Sequence, residues 1–327
     1  MLRPLFHRPK AAANQLVLIV FLALAGCARP VDAGAEAVLH PDRAGAKIEY
    51  FLRRPKGAGP WPTLVFLHGH QPLLSRSGGR AFVTWGVLDR VAKQGYLAVS
   101  VSLPGYGGSS GPQDFAGPFS QHAVEAVLAK IESEGLAAPD KILIQGVSLG
   151  AVTGAFVAAH RPRLAGLVLI SGLYDLPAFL AHPKTSGAEE IKAAIMRQTD
   201  GSEAALRLRS AIRVAASINA STLILNGAKD DRTDPDQAVR LAAMIKKHGG
   251  KAEVRVYPEF GHEIPVKARE AEIDAFIART LKPDASTFRC ATPQDAPPLI
   301  PEPNTHCSNG SVPETKLVAR SGVSTTE

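Results

Sequence analysis

Residues 146–150 read Gly-Val-Ser-Leu-Gly, at the point where an apolar run, Lys141–Gln145, gives way to a small-residue helical stretch, Ala151–His160. A serine hydroxyl is a poor nucleophile at neutral pH unless a base takes its proton, and that base needs an acid to orient it. A sharp strand-to-helix turn meets the first requirement by lifting Ser148 clear of a sheet. The flanking glycines allow the strained turn and let neighbouring chain pack where a Cβ would stand. The chemistry to expect of such a serine is acyl transfer.

Around a turn of this kind the acid and then the histidine follow the serine along the chain. Past the strand-like run Thr222–Leu225 comes Asn226-Gly227-Ala228-Lys229-Asp230-Asp231-Arg232, which offers Asp230 as the acid, with Asp231 and Asp234 as competitors. After the next such run comes Glu259-Phe260-Gly261-His262-Glu263, which offers His262 as the base. The separations, 82 residues from Ser148 to Asp230 and 32 from Asp230 to His262, each leave room for a crossover. Nine other histidines have simpler readings: His160 and His248 end helical stretches and His182 lies in an insertion. Negative charge on the attacked carbonyl needs waiting donors. One is the N–H of Leu149, and the second belongs to the loop His68-Gly69-His70-Gln71, where His70 is the donor, Gln71 stands behind it and His68 fixes the loop by hydrogen bonding. No metal or organic cofactor is implied by this set.

These residues need elements to position them. Strand signals at Lys47–Arg54, Thr63–Leu67, Tyr96–Ser102, Leu164–Ile170, Thr222–Leu225 and Ala252–Tyr257 alternate with helical spacing at Phe82–Gln94, Gln121–Glu134, 236–247 and 267–281. Pro60-Trp61-Pro62 reads as a turn. Such alternation predicts right-handed crossovers and an α/β fold, a mostly parallel central sheet with helices on both faces. Between Tyr174 and Asn219 an insertion with helical signals at Ala188–Arg197 and Glu203–Ala216 predicts a small helical cap over the strand ends, 174–219.

Taken together, His68-Gly69, Pro104-Gly105-Tyr106-Gly107-Gly108-Ser109, the turn at 146–150, the loop at 226–232 and Gly261-His262 resemble the α/β-hydrolase superfamily. The acid loop, of the form Gly-x-x-Asp-Asp-Arg, is most similar to the catalytic domain of the prolyl oligopeptidase family, with dienelactone-hydrolase-like proteins as near neighbours. The resemblance covers residues 47–282 and implies that the first aspartate, Asp230, is the acid. It also marks departures. No β-propeller fits before residue 47, the nucleophile is serine rather than the cysteine of dienelactone hydrolases, and Thr233-Asp234 stand where the family often continues with valine.

The ends of the chain differ from this middle. Residues 1–26 carry Arg3, Arg8 and Lys10 before an apolar run, Leu16–Ala25, too short to span a bilayer, and read as a secretory signal. Leu24-Ala25-Gly26-Cys27 resembles the lipobox of bacterial lipoproteins, which implies a lipid on Cys27 and a periplasm-facing position, with Ala28 pointing to the outer membrane. Residues 27–46 then form a tether of about 20 residues, at most roughly 70 Å when extended. Residues 283–327 hold seven prolines and read as a tail, in which Cys290 and Cys307 are a pair that an oxidising compartment would join. Removing the signal's three basic residues lowers the net charge from +7 to +4, with no basic run of the kind that binds nucleic acid. The expected protein is an exported, membrane-anchored serine hydrolase acting on a small ester. A peptide or amide substrate, an acyltransferase or thioesterase activity, and a non-catalytic ligand-binding role are the alternatives.

Overall fold

The computed structural model describes residues 34–71, 76–181 and 185–281. The signal segment, Cys27, His182, Cys290 and Cys307 lie outside these residues, as does the whole of a second unit, Phe288–Glu327. Eight strands, β1 (Glu36–Leu39), β2 (Lys47–Arg53), β3 (Trp61–Leu67), β4 (Leu97–Val101), β5 (Ala137–Val147), β6 (Gly166–Ile170), β7 (Ser221–Gly227) and β8 (Ala252–Tyr257), form one sheet in the order β1-β2-β4-β3-β5-β6-β7-β8. Only β1 and β2 run against their neighbours; from β4 to β8 every pairing is parallel.

The central strands are apolar on both faces, as a parallel sheet covered by helices on both sides requires. Val65, Leu67, Ile142, Ile144, Leu167 and Leu169 point into one core, and Leu64, Phe66, Leu143, Val168 and Ile170 into the other. The first core is closed by α3 (Pro118–Ser133), α4 (Leu149–His160) and α8 (Pro235–Lys247), through residues such as Val127, Val152 and Leu241. The second is closed by α1 (Arg80–Thr84), α2 (Val87–Lys93) and α9 (Val266–Leu281), through Phe82, Leu88, Val91 and Phe276.

Three local expectations change. The tether ends early, because Glu36-Ala37-Val38-Leu39 pairs antiparallel with β2, and the Tyr50 hydroxyl donates to Glu36 Oε2 at 2.8 Å. Four residues in an Ala- and Gly-rich stretch are too few to show an alternating pattern. The turn at Pro60-Trp61-Pro62 is already strand: Trp61 is buried and pairs with Ala137. The helix at Phe82–Gln94 is two helices, because Gly86 takes a left-handed φ of 69° between α1 and α2.

The insertion holds α5 (Leu176–Ala181), α6 (Ser186–Gln198), α7 (Glu203–Arg207) and a 3-10 helix at Ala211–Ser217 that packs back on α4 and α8. Its helices are tied to the loop after β4: Gln198 accepts from the Phe115 N–H at 3.0 Å, and Arg209 donates to the Asp114 carbonyl at 2.6 Å.

Candidate active site

Ser148 links β5 to α4 with φ 52° and ψ −114°, a conformation few non-glycine residues adopt. The main chain enforces it. The Ser148 N–H donates to the Ile170 carbonyl at 2.7 Å, a Cβ on Gly146 would run into the Gly150 carbonyl, and one on Gly150 would run into that of Leu67. Leu149 is the first residue of α4, so its N–H has no acceptor within the helix and lies at the positive end of the helix dipole. The loop after β3 lies against the serine, a Cβ on Gly69 falling 3.2 Å from Ser148 Cβ. No described residue accepts the N–H of His70, the next residue.

The structure brings the expected base and acid to this point. His262 Nε2 lies 3.2 Å from Ser148 Oγ, and His262 Nδ1 lies 3.0 and 3.1 Å from the two carboxylate oxygens of Asp230. The Asp230 side chain is wholly buried and that of His262 nearly so. Burial pushes the Asp230 pKa up, but the hydrogen bond and charge of His262, with the Thr233 hydroxyl and N–H, outweigh it and leave the pKa below the ordinary carboxylate value. The competing aspartates have other places: Asp234 caps α8 by accepting from the Asp236 N–H, and Asp231 is exposed.

Several supporting residues escape a reading of sequence. Asp230 also accepts from Thr233 Oγ1 at 2.7 Å, Asn226 Nδ2 at 3.2 Å, and the N–H groups of Arg232 and Thr233 at 2.9 Å. The departure from valine at 233 therefore supplies a hydroxyl to the acid. Ser171, buried at the end of β6 with φ 52°, donates its hydroxyl to the His262 carbonyl at 2.8 Å. Tyr106 places its hydroxyl 2.8 Å from His70 Nδ1 and its ring edge-on to His68. A residue's spacing from other polar residues gives no sign of such contacts.

His68 has the structural role expected of it. Nε2 accepts from the Leu103 N–H at 3.0 Å and Nδ1 donates to the Gly69 carbonyl at 2.7 Å, which fixes a neutral tautomer. Burial lowers its pKa to about 4, against the smaller opposing effect of the Gly69 hydrogen bond. Ser109 donates to the Ser102 carbonyl and accepts from the Glu49 N–H, so it holds its loop rather than the site. Two surface cavities, around Arg161–Leu164 and around Lys251, open at the N-terminal ends of β5–β8 and hold none of these groups. The triad lies at the opposite, C-terminal ends, where open α/β sheets bind ligands.

The prolyl oligopeptidase family model matches residues 117–284, which include Ser148, Asp230 and His262. The chain belongs to the prolyl oligopeptidase family. Its fold is that of the α/β-hydrolase superfamily, and a model of the X-Pro dipeptidyl-peptidase (S15) family also matches residues 44–182. An uncharacterized peptidase, YuxL, of Bacillus subtilis is 23% identical over 252 residues, 70% of this chain and 35% of its own length. The chain spans about a third of the length of the curated relatives it matches. Acylaminoacyl peptidase of Pyrococcus horikoshii superposes with a TM-score of 0.62 at 16% identity, over 76% of this chain and 41% of its own. Esterase Pf2001 of Pyrococcus furiosus superposes with a TM-score of 0.57 at 15% identity, over 76% of this chain and 91% of its own.

Proposed function

We propose that the protein cleaves carboxylic esters by a two-step acyl transfer at Ser148. The hydrogen-bonded chain from Ser148 Oγ through His262 to Asp230 carries the reading. Ser148 attacks the carbonyl while His262 Nε2 takes its proton, and Asp230 holds the imidazole in the tautomer that can accept it. The N–H groups of His70 and Leu149 receive the oxyanion, each worth about 3 kcal/mol of the barrier. His262 then returns the proton to the leaving alcohol and activates the water that releases the acid. Peptide or amide cleavage is the second reading, favoured by the family match and by the acyl-peptide-cleaving neighbour.

A fluorophosphonate probe should label the wild type and not Ser148→Ala, which should retain its melting temperature and lose several orders of magnitude in turnover. A panel of p-nitrophenyl esters beside aminoacyl p-nitroanilides separates the two readings. Turnover of the anilides with none of the esters would overturn the first. For location, we propose export and lipidation at Cys27, supported by the basic start, the short apolar run and Leu24-Ala25-Gly26-Cys27. Among the described residues no helix is long and apolar enough to cross a membrane.

A further inference from the structure

Beside the oxyanion loop stands a group of donors and cations that the acyl-transfer steps do not use. Arg76 Cζ lies 5.9 Å from the centre of the Tyr106 ring, whose hydroxyl meets His70 Nδ1. The residue before His70, Gly69, lies against Ser148. From the other side comes the end of α6. Gln198 accepts from the Phe115 N–H and donates to Gln113 Oε1 at 3.2 Å, and Gln113 packs on Gly105, next to Tyr106. Arg197 precedes Gln198 on that helix. Burial lowers the His70 pKa, and the charges of Arg76 and Arg197 lower it further against Glu190, so both guanidiniums act on the oxyanion loop.

Arginines that serve this fold are held by acceptors. Arg209 gives Nε and Nη1 to the Asp114 and Ala205 carbonyls, and Arg269 gives Nε to that of Ile264. Arg76 and Arg197 differ, since neither has an ion-pair partner among the described residues. Arg76 Nε and Gln113 Nε2 are moreover buried without a hydrogen-bond partner. A buried donor left so is costly to the fold unless a ligand satisfies it. Two guanidiniums and one exposed carboxylate, Glu190, thus act on His70, and two buried donors beside it lack acceptors.

We propose that this corner is an anion subsite: the preferred substrate carries a carboxylate, or a group of like charge, within a few atoms of the scissile carbonyl, bound between Arg76 and Arg197. A guanidinium pairs with a carboxylate through two parallel hydrogen bonds, which fixes position as well as charge. The subsite rests on the ester reading and names its substrate class.

The test uses two pairs of esters that differ only in charge. Mono-4-nitrophenyl adipate and its methyl ester place the charge on the acyl side, and 4-carboxyphenyl butyrate and its methyl ester place it on the leaving side. In at least one pair the anionic member should have a kcat/KM about tenfold higher, and Arg76→Gln combined with Arg197→Gln should bring that ratio close to one. Arg197→Gln alone, at an exposed position, should lower the ratio without affecting folding. Equal or better turnover of the neutral member in both pairs overturns the subsite and leaves the ester reading standing. Equal loss on both members in the double variant also overturns it, because it marks a structural role. Turnover of none of the four overturns the ester reading and the subsite with it.

Discussion

Asp230 shows how one carboxylate can be selected from three neighbours by what surrounds it. Only Asp230 turns inward to meet His262, with Thr233, Asn226 and two N–H groups completing its coordination. Asp230→Asn should therefore lower turnover on the order of 10³–10⁴-fold, because an amide N–H facing Nδ1 enforces the wrong tautomer. Asp231→Asn, on an exposed side chain, should change it less than about threefold, and steady-state kinetics of the two variants decides the register. His68 supports a second prediction. With a folded pKa near 4 against 6.5 unfolded, the folded state binds fewer protons between these values. Stability should then fall as pH drops from about 6.5 to 4, by about 3 kcal/mol in all. Asp230 acts in a separate window: its depressed pKa gives stability above the unfolded value, lost only as pH falls further below 3.8. Denaturant melts of the wild type and His68→Gln between pH 7 and 4 check the first effect, which the variant should lack. That Ser148, His262 and Asp230 would meet was legible in the sequence because each follows a strand and sits in a turn or loop with a glycine nearby. Ser171, Asn226 and Tyr106 were not, because what they do depends on which carbonyl or ring the fold brings to them.

At the level of elements, long apolar strands and helices with one greasy face announced themselves, whereas short pieces did not. The strand before Ser148 was readable from its apolar run, Lys141–Gln145, although β5 begins four residues earlier at Ala137, and α4 was readable from its run of small and apolar residues. The β1 strand has four residues, and it became a strand only because β2 offers an edge to pair with. Its contribution can be measured. A chain beginning at residue 34 should keep full stability, while one beginning at residue 46 loses four backbone pairings and the Glu36–Tyr50 hydrogen bond, and exposes the β2 edge. We expect a melting temperature several degrees lower and a greater tendency to aggregate, with thermal unfolding and light scattering as the readouts. No change between the two would show β1 to be dispensable. The split between α1 and α2 has a similar lesson: apolar spacing ran through Gly86, and only its left-handed φ ended the helix.

For the whole molecule, the expected anchoring is tested by fractionation. Wild type should partition with membranes and begin at Cys27, since several acyl chains hold a protein where one does not. Cys27→Ser should be uncleaved or mislocalised, with the hydrolase domain as active as before on soluble esters. A fully soluble wild type with another mature N-terminus would end this reading and leave the triad untouched. The early edge strand gives such anchoring a sharper geometry. With a lipid on Cys27 and the folded domain beginning at Glu36, eight residues lie between them, and the nine chain steps, even fully stretched, reach no more than about 30 Å. The explorable volume scales with the cube of that length, so it is roughly a tenth of what a leash reaching to residue 47 would permit. An enzyme held so short samples the bilayer face and little else. Its effective substrates would then be esters displayed at the lipid surface, encountered by two-dimensional diffusion rather than from the bulk of the surrounding compartment.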